Sequence, residues 1–233
     1  MNTPQTIIMF DLDGTLFDTA QAIPLTFNAA FRALDLKELP QALIRQTIGL
    51  PLEQAFAQLM QLPVNNYLVE LAVEEYQRQF KLIIIPAAQS LLFPGVINGL
   101  ETLKRLGMRL SVTTNKFSHS ANTLLSAAHI ASLFNIVVCA DEVQQKKPHP
   151  ESGEKILDFF NASNAQAIMV GDTTHDILMA NHLGCKSIAV TYGIHDEKTL
   201  LTASPNSLAH DFTQVVQLCQ QYHQQQNALV SLV

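Results

Sequence analysis

The first apolar run of the chain reads Ile7-Ile8-Met9-Phe10-Asp11-Leu12-Asp13-Gly14-Thr15-Leu16. Its leading apolar residues predict a strand that is buried on both faces of a sheet, and Gly14 lets the backbone turn after it. Asp11 and Asp13 then lie at the C-terminal end of that strand, where open parallel sheets bind ligands. Two carboxylates at one strand end repel each other and resist burial, and a divalent cation would offset both costs. An ordinary Asp-Gly turn fits the same residues, so this fragment alone leaves both interpretations open.

Composition restricts the class of protein. The chain has 233 residues, 48% hydrophobic and 15% charged, which predicts one large domain or a core with a smaller module. A net charge of −6 without a basic cluster argues against nucleic acid as a partner. No apolar run approaches the roughly 20 residues that span a bilayer, and residues 1–6 lack the basic region of a signal peptide. We therefore expect a cytoplasmic protein with no membrane partner.

After the first strand the spacing of apolar residues becomes helical. It predicts helices over about 18–36, 40–49, 51–60 and 67–82, with no convincing strand between them. A simple alternating α/β chain would place a second strand after its first helix. This region is therefore predicted to be an inserted helical bundle. The insertion either only lengthens the fold or acts as a lid that excludes water and selects the substrate.

From about residue 90 the chain alternates between helices and short apolar strands. Strands are predicted near 110–112, 136–139, 167–170 and 187–192, with helices between them and a further helix over about 208–222. This alternation predicts an α/β fold with a doubly wound, mostly parallel, Rossmann-like sheet. The predicted division is a core of residues 1–15 and 90–233 and a helical cap of residues 16–89.

Polar residues follow three of the later strands. Thr113, Thr114 and Asn115 follow one, and each could simply cap the next helix. Lys146 and Lys147 follow another, in a proline-rich loop where solvated charge is common. Asp172 and Asp176 follow a third, where Asp172 or Thr173 could simply cap the next helix. These polar groups are predicted at strand ends, as Asp11 and Asp13 are.

The motifs together resemble those of the haloacid dehalogenase-like hydrolases. Asp11-Leu12-Asp13-Gly14-Thr15-Leu16-Phe17-Asp18-Thr19 resembles the first motif of the family, in the form typical of its phosphatases and of the phosphoglycolate phosphatase-like group. Thr114 resembles the threonine of the second motif, with Thr113 as the alternative. Lys147, rather than Lys146, fits the lysine of the third, and Gly171-Asp172 with Asp176 resembles the fourth. Family members also carry a helical cap between the first two motifs.

The resemblance implies a Mg²⁺-dependent phosphatase. Asp11 would be the nucleophile that forms an aspartyl-phosphate, and Asp13 would act as general acid and base. Lys147 would neutralise the phosphoryl oxygens, while Thr114 and the backbone N–H of Asn115 would bind them. The implied Mg²⁺ ligands are Asp11, the Asp13 backbone carbonyl and Asp172, with Asp176 in or beside the set. The implied substrate is a small phosphate monoester, such as phosphoglycolate or a sugar phosphate.

Other activities occur on the same scaffold. Asp13 disfavours dehalogenases and phosphonatases, which lack a second aspartate at this place in the motif. A pyrophosphatase or a phosphomutase activity remains possible. Members that resemble β-phosphoglucomutase carry an arginine shortly after the cap glycine, whereas this chain has Leu50-Pro51-Leu52 after Gly49, which weakens the mutase interpretation. A phosphate-binding protein without activity would be expected to lack one of the motif residues, and none is missing. Arg45 and Arg78 are candidate substrate contacts in the cap, and the sequence does not specify an oligomeric state.

Overall fold

A six-stranded sheet forms the centre of the molecule in the computed structural model, which describes residues 5–230, with side chains to residue 228. The strand order is β3-β2-β1-β4-β5-β6, and every neighbouring pair is parallel. The strands are β1 Ile7–Phe10, β2 Arg109–Thr113, β3 Ile136–Val138, β4 Ala167–Gly171, β5 Lys186–Val190 and β6 Ser207–Ala209. The predicted doubly wound α/β fold is confirmed. The expectations for residues 1–4 and 231–233 lie outside the described residues.

Helices cover both faces of this sheet. The side chains of β1 alternate between the faces, so that Ile8 and Phe10 belong to one buried cluster and Ile7 and Met9 to the other. The helices of the core are α5 Val96–Arg105, α6 Ser118–Ala127, α7 Glu151–Phe160, α8 Thr174–Leu183, α9 Glu197–Leu201 and α10 Phe212–Val230. No helix within residues 5–230 is both long and apolar enough to cross a membrane.

The insertion after β1 is helical, as predicted. Its helices are α1 Ala22–Ala33, α2 Gln41–Arg45, α3 Leu52–Met60 and α4 Tyr67–Ile83. Phe56 of α3 is fully buried and packs its ring against Phe27, Phe31 and Tyr76. Apolar side chains of the insertion and of the sheet belong to one continuous cluster. This contact places the cap against the core.

The chain passes between cap and sheet through two adjacent segments. Phe17 forms a β-bridge with Leu92, and the amide of Asp18 donates to the Leu91 carbonyl. Hydrogen bonds to the Leu12 carbonyl close a turn over residues 12–17. Because this turn and the bridge hold residues 12–18, the first helix begins at Ala22 and not near residue 18. The cap boundaries at 16 and 89 stay a prediction.

The end of the chain differs from its prediction. The helix expected from Leu208 to Tyr222 begins only at Phe212, and Ser207–Ala209 form β6, a short edge strand that pairs with Ile188–Val190. A three-residue strand is too short to show the alternation of apolar residues by which strands are recognised. The sheet therefore has one strand more than the sequence predicts.

The aromatic cluster of the cap yields a stability prediction. Phe56→Ala is expected to lower the free energy of unfolding by about 3–5 kcal/mol, because it leaves a cavity between Phe27, Phe31 and Tyr76. Urea denaturation followed by circular dichroism measures the change. Phe159→Ala is the matched control, since that ring is 58% exposed and its loss should cost less than about 1 kcal/mol. Equal losses in the two variants would contradict the packing described.

Candidate active site

Three buried carboxylates meet at the carboxyl ends of β1 and β4. Oxygens of Asp11, Asp172 and Asp176 all lie within 4.8 Å of one another. The sheet order brings this about, because β1 and β4 are hydrogen-bonded neighbours and Asp11 and Asp172 directly follow them. The amide of Asp11 also donates to the Val170 carbonyl at 3.0 Å, which fixes the backbone of the first motif against β4.

Lys147 provides the cation of this cluster. Its Nζ lies 2.6 Å from Asp11 Oδ1 and 2.6 Å from Asp176 Oδ1, and it donates to the Thr113 carbonyl at 2.9 Å. The neighbouring Lys146 instead pairs with Glu53 of the cap. The structure therefore brings Lys147, and not Lys146, to the carboxylates.

Asn115 holds Lys147 in place through its side-chain amide. Its Oδ1 accepts from the Lys147 amide at 3.1 Å, and its Nδ2 donates to the Lys147 carbonyl at 3.2 Å. The same Nδ2 donates to the Gly49 carbonyl of the cap at 2.8 Å. The sequence predicts Asn115 only as a phosphate contact through its backbone. Its role as a clamp between two motifs and the cap was missed, because its partners lie far away along the chain.

Asp172 is oriented by two donors from other parts of the core. Thr15 Oγ1 donates to its Oδ1 and the Ile194 amide donates to its Oδ2, each at 2.8 Å. Gly14, at φ +87°, leaves room for this carboxylate, since a Cβ there would lie 2.0 Å from Asp172 Oδ2. The contribution of Ile194, which follows β5, was not predicted from the sequence.

Asp176 belongs to the start of α8. Its Oδ2 accepts from the amide and the hydroxyl of Thr173, at 3.0 and 2.8 Å, so that Thr173 and Asp176 form a capping box. Its Oδ1 is left to Lys147. The helix cap thus fixes a carboxylate of the cluster, and Thr173, not Asp172, is the capping residue.

Asp13 stands apart from the three clustered carboxylates and lines a cavity beneath the cap. Lys116 Nζ lies 2.7 Å from its Oδ2, whereas its Oδ1 is buried without a protein partner. Tyr76 of α4 lines the same cavity. Burial raises the pKa of the Tyr76 phenol well above its usual value, and the charge of Asp13 adds to that shift.

The two threonines after β2 have different surroundings. Thr113 is fully buried, and its hydroxyl donates to Ser152 Oγ at 2.7 Å. Thr114 lines the cavity together with Asp11, Asp13 and Lys147, within a volume of about 70 Å³. Of the two threonines, Thr114 is the one in a position to contact a ligand. His149, outside this group, accepts from the Glu151 amide at the start of α7.

The charges of the cluster do not balance. Burial raises the pKa of Asp11 to about 7, against the lowering effect of Lys147, and Asp176 and Asp13 raise it further. Burial raises the pKa of Asp172 well above its usual value, and the charges of Asp11 and Asp176 add to that shift. Burial alone would lower the pKa of Lys147, but its two carboxylate partners outweigh burial and raise it. Three buried carboxylates with one lysine therefore fit a hard divalent cation, which takes oxygen ligands.

Comparison with known proteins identifies the family of the chain. The family model described as haloacid dehalogenase-like hydrolase matches residues 8–190. The chain belongs to the haloacid dehalogenase-like hydrolase family. That match covers all four motifs and the helical insertion, and the predicted family is confirmed.

Similar members of this hydrolase family are named as phosphatases. A probable phosphatase, IndB, of Dickeya dadantii is 45% identical over 90% of this chain and 91% of its own. A phosphoglycolate phosphatase of Pasteurella multocida is 30% identical over 90% of this chain and 96% of its own. A pyrophosphatase, PpaX, of Anoxybacillus flavithermus is 29% identical over 91% of this chain and 95% of its own. The chain is thus a hydrolase of the phosphatase class.

Solved structures share the fold. A haloacid dehalogenase-like hydrolase of Bacteroides fragilis superposes with a TM-score of 0.82, at 23% identity, over 91% of this chain and 99% of its own. A predicted phosphoglycolate phosphatase of Haemophilus somnus superposes with a TM-score of 0.81, at 24% identity, over 94% of this chain and 99% of its own. At these identities the likeness extends to the fold, including the helical insertion within it.

The two adjacent lysines allow a matched test of the cluster. Lys147→Met is expected to lower the free energy of unfolding in EDTA by about 3–5 kcal/mol in mildly alkaline buffer, because it leaves buried carboxylates without their cation. Lys146→Met should cost no more than about 1 kcal/mol, since its ion pair with Glu53 is partly exposed. Urea denaturation measures both. A larger loss in Lys146→Met than in Lys147→Met would contradict the placement of Lys147.

The cluster also predicts stabilisation by a divalent cation. Mg²⁺ at about a hundredfold above its Kd should raise the Tm by about 5–10 °C in a thermal unfolding assay, because a cation held by these carboxylates only in the folded state would stabilise that state. Asp172→Asn should remove most of this shift. Asp158→Asn, which changes an exposed aspartate of α7, should keep all of it. An undiminished shift in Asp172→Asn would exclude the cluster as the binding site.

Proposed function

We propose that the chain hydrolyses small phosphate monoesters with Mg²⁺, through an aspartyl-phosphate intermediate formed on Asp11. The observation that carries this proposal is the surroundings of Asp11. Its carboxylate contacts Lys147, lies beside Asp172 and Asp176, and lines the same cavity as Asp13 and Thr114. A nucleophile, a cation and a second carboxylate thus share one cavity, which matches the needs of phosphoryl transfer.

The first half-reaction transfers the phosphoryl group to the protein. A carboxylate oxygen of Asp11 forms a bond to phosphorus, and the bond between phosphorus and the alcohol oxygen breaks. The alcohol leaves with a proton from Asp13. Oδ1 of Asp13 is suited to carry that proton, because Lys116 occupies Oδ2 while Oδ1 has no protein partner. Lys147 and Thr114 bind the oxygens of the phosphoryl group.

The second half-reaction restores both aspartates. A water molecule gives a proton to Asp13 and forms a bond to phosphorus, and the bond between phosphorus and Asp11 breaks. Inorganic phosphate leaves, the Asp11 carboxylate is regenerated, and Asp13 holds the proton for the next cycle. One residue thus serves as acid and then as base, which requires no other proton carrier.

The residues that would hold Mg²⁺ are the carboxylates of Asp11 and Asp172 and the backbone carbonyl of Asp13, with Asp176 next to them. The cation would reduce the repulsion between the Asp11 carboxylate and the anionic substrate. The hydrogen bonds from Thr15 and Ile194 hold Asp172 ready for this task. Lys147 forms ion pairs with both Asp11 and Asp176 and so offsets the repulsion between their carboxylates.

The substrate is proposed to be small. The cavity beneath the cap holds about 70 Å³, and the relatives named above include a phosphoglycolate phosphatase and a pyrophosphatase. Phosphoglycolate, sugar phosphates and pyrophosphate therefore belong in the panel of compounds to be assayed. A phosphomutase activity is a weaker alternative. Leu50 and Leu52 line the cavity near the place where β-phosphoglucomutase-like members carry an arginine.

Asp11→Asn tests the nucleophile. It should lower Mg²⁺-dependent phosphate release from any substrate of the wild type by at least about a thousandfold, because an amide oxygen is a poor nucleophile. A malachite-green assay across a panel of phosphate esters measures this loss. After acid quench, the wild type should carry a phosphoryl group on the peptide that contains Asp11, detected by mass spectrometry.

Asp158→Asn is the control for this substitution and should retain wild-type turnover, since its side chain is exposed on α7. Turnover by Asp11→Asn at the wild-type rate, or a phosphoryl group found on another peptide, would refute the assignment of the nucleophile.

A further inference from the structure

The cap presents an apolar surface to the cavity. Seven of its side chains contribute carbon surface there, six of them aliphatic or phenyl groups and the seventh the ring of Tyr76. The six are Ile23, Phe27, Ile48, Leu50, Leu52 and Ala55. They face the catalytic residues across the space that the leaving group of a substrate would occupy.

The basic side chains of the cap do not reach this space. Within residues 16–89, all of which the structure describes, none of the five arginines and lysines lines the cavity. Arg45, a candidate from the sequence, donates instead to the Ala20 carbonyl and the Gln21 side chain. Arg78, the other candidate, pairs with Glu75, and its side chain is 74% exposed. Neither arginine is placed to form an ion pair with an anionic group of the substrate's leaving group.

The two lysines that do line the cavity already have carboxylate partners. Lys147 contacts Asp11 and Asp176. Lys116 lies 2.7 Å from Asp13 and 4.8 Å from the centre of the Phe80 ring. A second anionic group on the substrate would therefore either draw Lys116 away from Oδ2 of Asp13, the proposed general acid, or be buried without a cation, which is strongly unfavourable.

Few hydroxyl groups remain for a polyhydroxylated leaving group. Thr47 Oγ1 already donates to the Ile44 carbonyl, and Thr173 Oγ1 donates to Asp176. Besides Thr114, which we assign to the phosphoryl group, only the hydroxyls of Tyr76 and Ser120 remain in the described lining. The volume of about 70 Å³ is roughly half that of an engineered cavity that binds benzene.

We propose that the preferred substrates are phosphate esters of short, uncharged and largely apolar alcohols, with at most one or two hydroxyl groups. Esters that carry a second anionic group, such as phosphoglycolate, are disfavoured. This inference rests on the proposed phosphatase function. It assigns to Leu50, Leu52 and their apolar neighbours the discrimination between neutral and charged leaving groups.

Isobutyl phosphate and phosphoglycolate form a matched pair for the test, because an isopropyl group and a carboxylate have similar shapes. The wild type with Mg²⁺ should hydrolyse isobutyl phosphate with a kcat/KM at least about tenfold higher than that for phosphoglycolate. Leu52→Lys, which introduces a cation into the cavity wall, should lower this ratio at least about tenfold. Leu82→Lys makes the same change on α4 at a residue that is 66% exposed, and it should keep the wild-type ratio.

The outcomes separate the two proposals. Equal or faster hydrolysis of phosphoglycolate by the wild type overturns the preference for neutral leaving groups and leaves the phosphatase mechanism intact. Hydrolysis of neither these esters nor any other member of the panel overturns both. A folded Leu52→Lys variant, checked by thermal unfolding, with an unchanged ratio overturns the role of Leu52. The wild-type comparison decides the preference even where that variant does not fold.

Discussion

Three buried carboxylates, two of which share one lysine, set the main constraint on this structure. Asp11, Asp172 and Asp176 come from two strand ends and the first turn of a helix, and Lys147 reaches Asp11 and Asp176 from a loop. Mutual repulsion and loss of hydration both oppose this arrangement. It persists because each carboxylate has a fixed hydrogen-bond donor. The donors are Lys147 at Asp11, Thr15 and Ile194 at Asp172, and Thr173 at Asp176. The remaining negative charge suits the cluster to a divalent cation.

The clamp at Asn115 connects this cluster to the cap. One side-chain amide contacts the backbone of Lys147 on both its N–H and its carbonyl, and also the Gly49 carbonyl of the cap. Leu50 and Leu52, which line the cavity, follow Gly49 directly in the chain. The position of the apolar cavity wall is therefore tied to the residue that positions Lys147 beside the carboxylates. In the proposed function, phosphate binding and recognition of the leaving group would share this one set of backbone contacts.

The sequence predicts most of the fold and identifies the residues that the sheet brings together, because both depend on local patterns. An apolar run such as Ile7–Phe10 is recognisable as a buried strand, and the order of the strands then places Asp11 beside Asp172. Ser207–Ala209 were missed since so short an edge strand has no periodicity, and its pairing with β5 depends on tertiary contact. The clamp at Asn115 and the donor at Ile194 were missed for a related reason. Their partners are distant in sequence and leave no spacing to detect.

The apolar residues to which we assign the substrate preference include residues that also stabilise the cap. Phe27 and Tyr76 line the cavity and also pack with Phe56 in the core of the cap. A charged or smaller residue at either position would alter the cavity but would also weaken the packing that holds the cap together. Leu50 and Leu52 are only partly buried, so substitution there disturbs less of the core. Changes in substrate preference at little cost in stability are therefore confined largely to the segment after Gly49, while the aromatic wall is constrained by the folding of the cap itself.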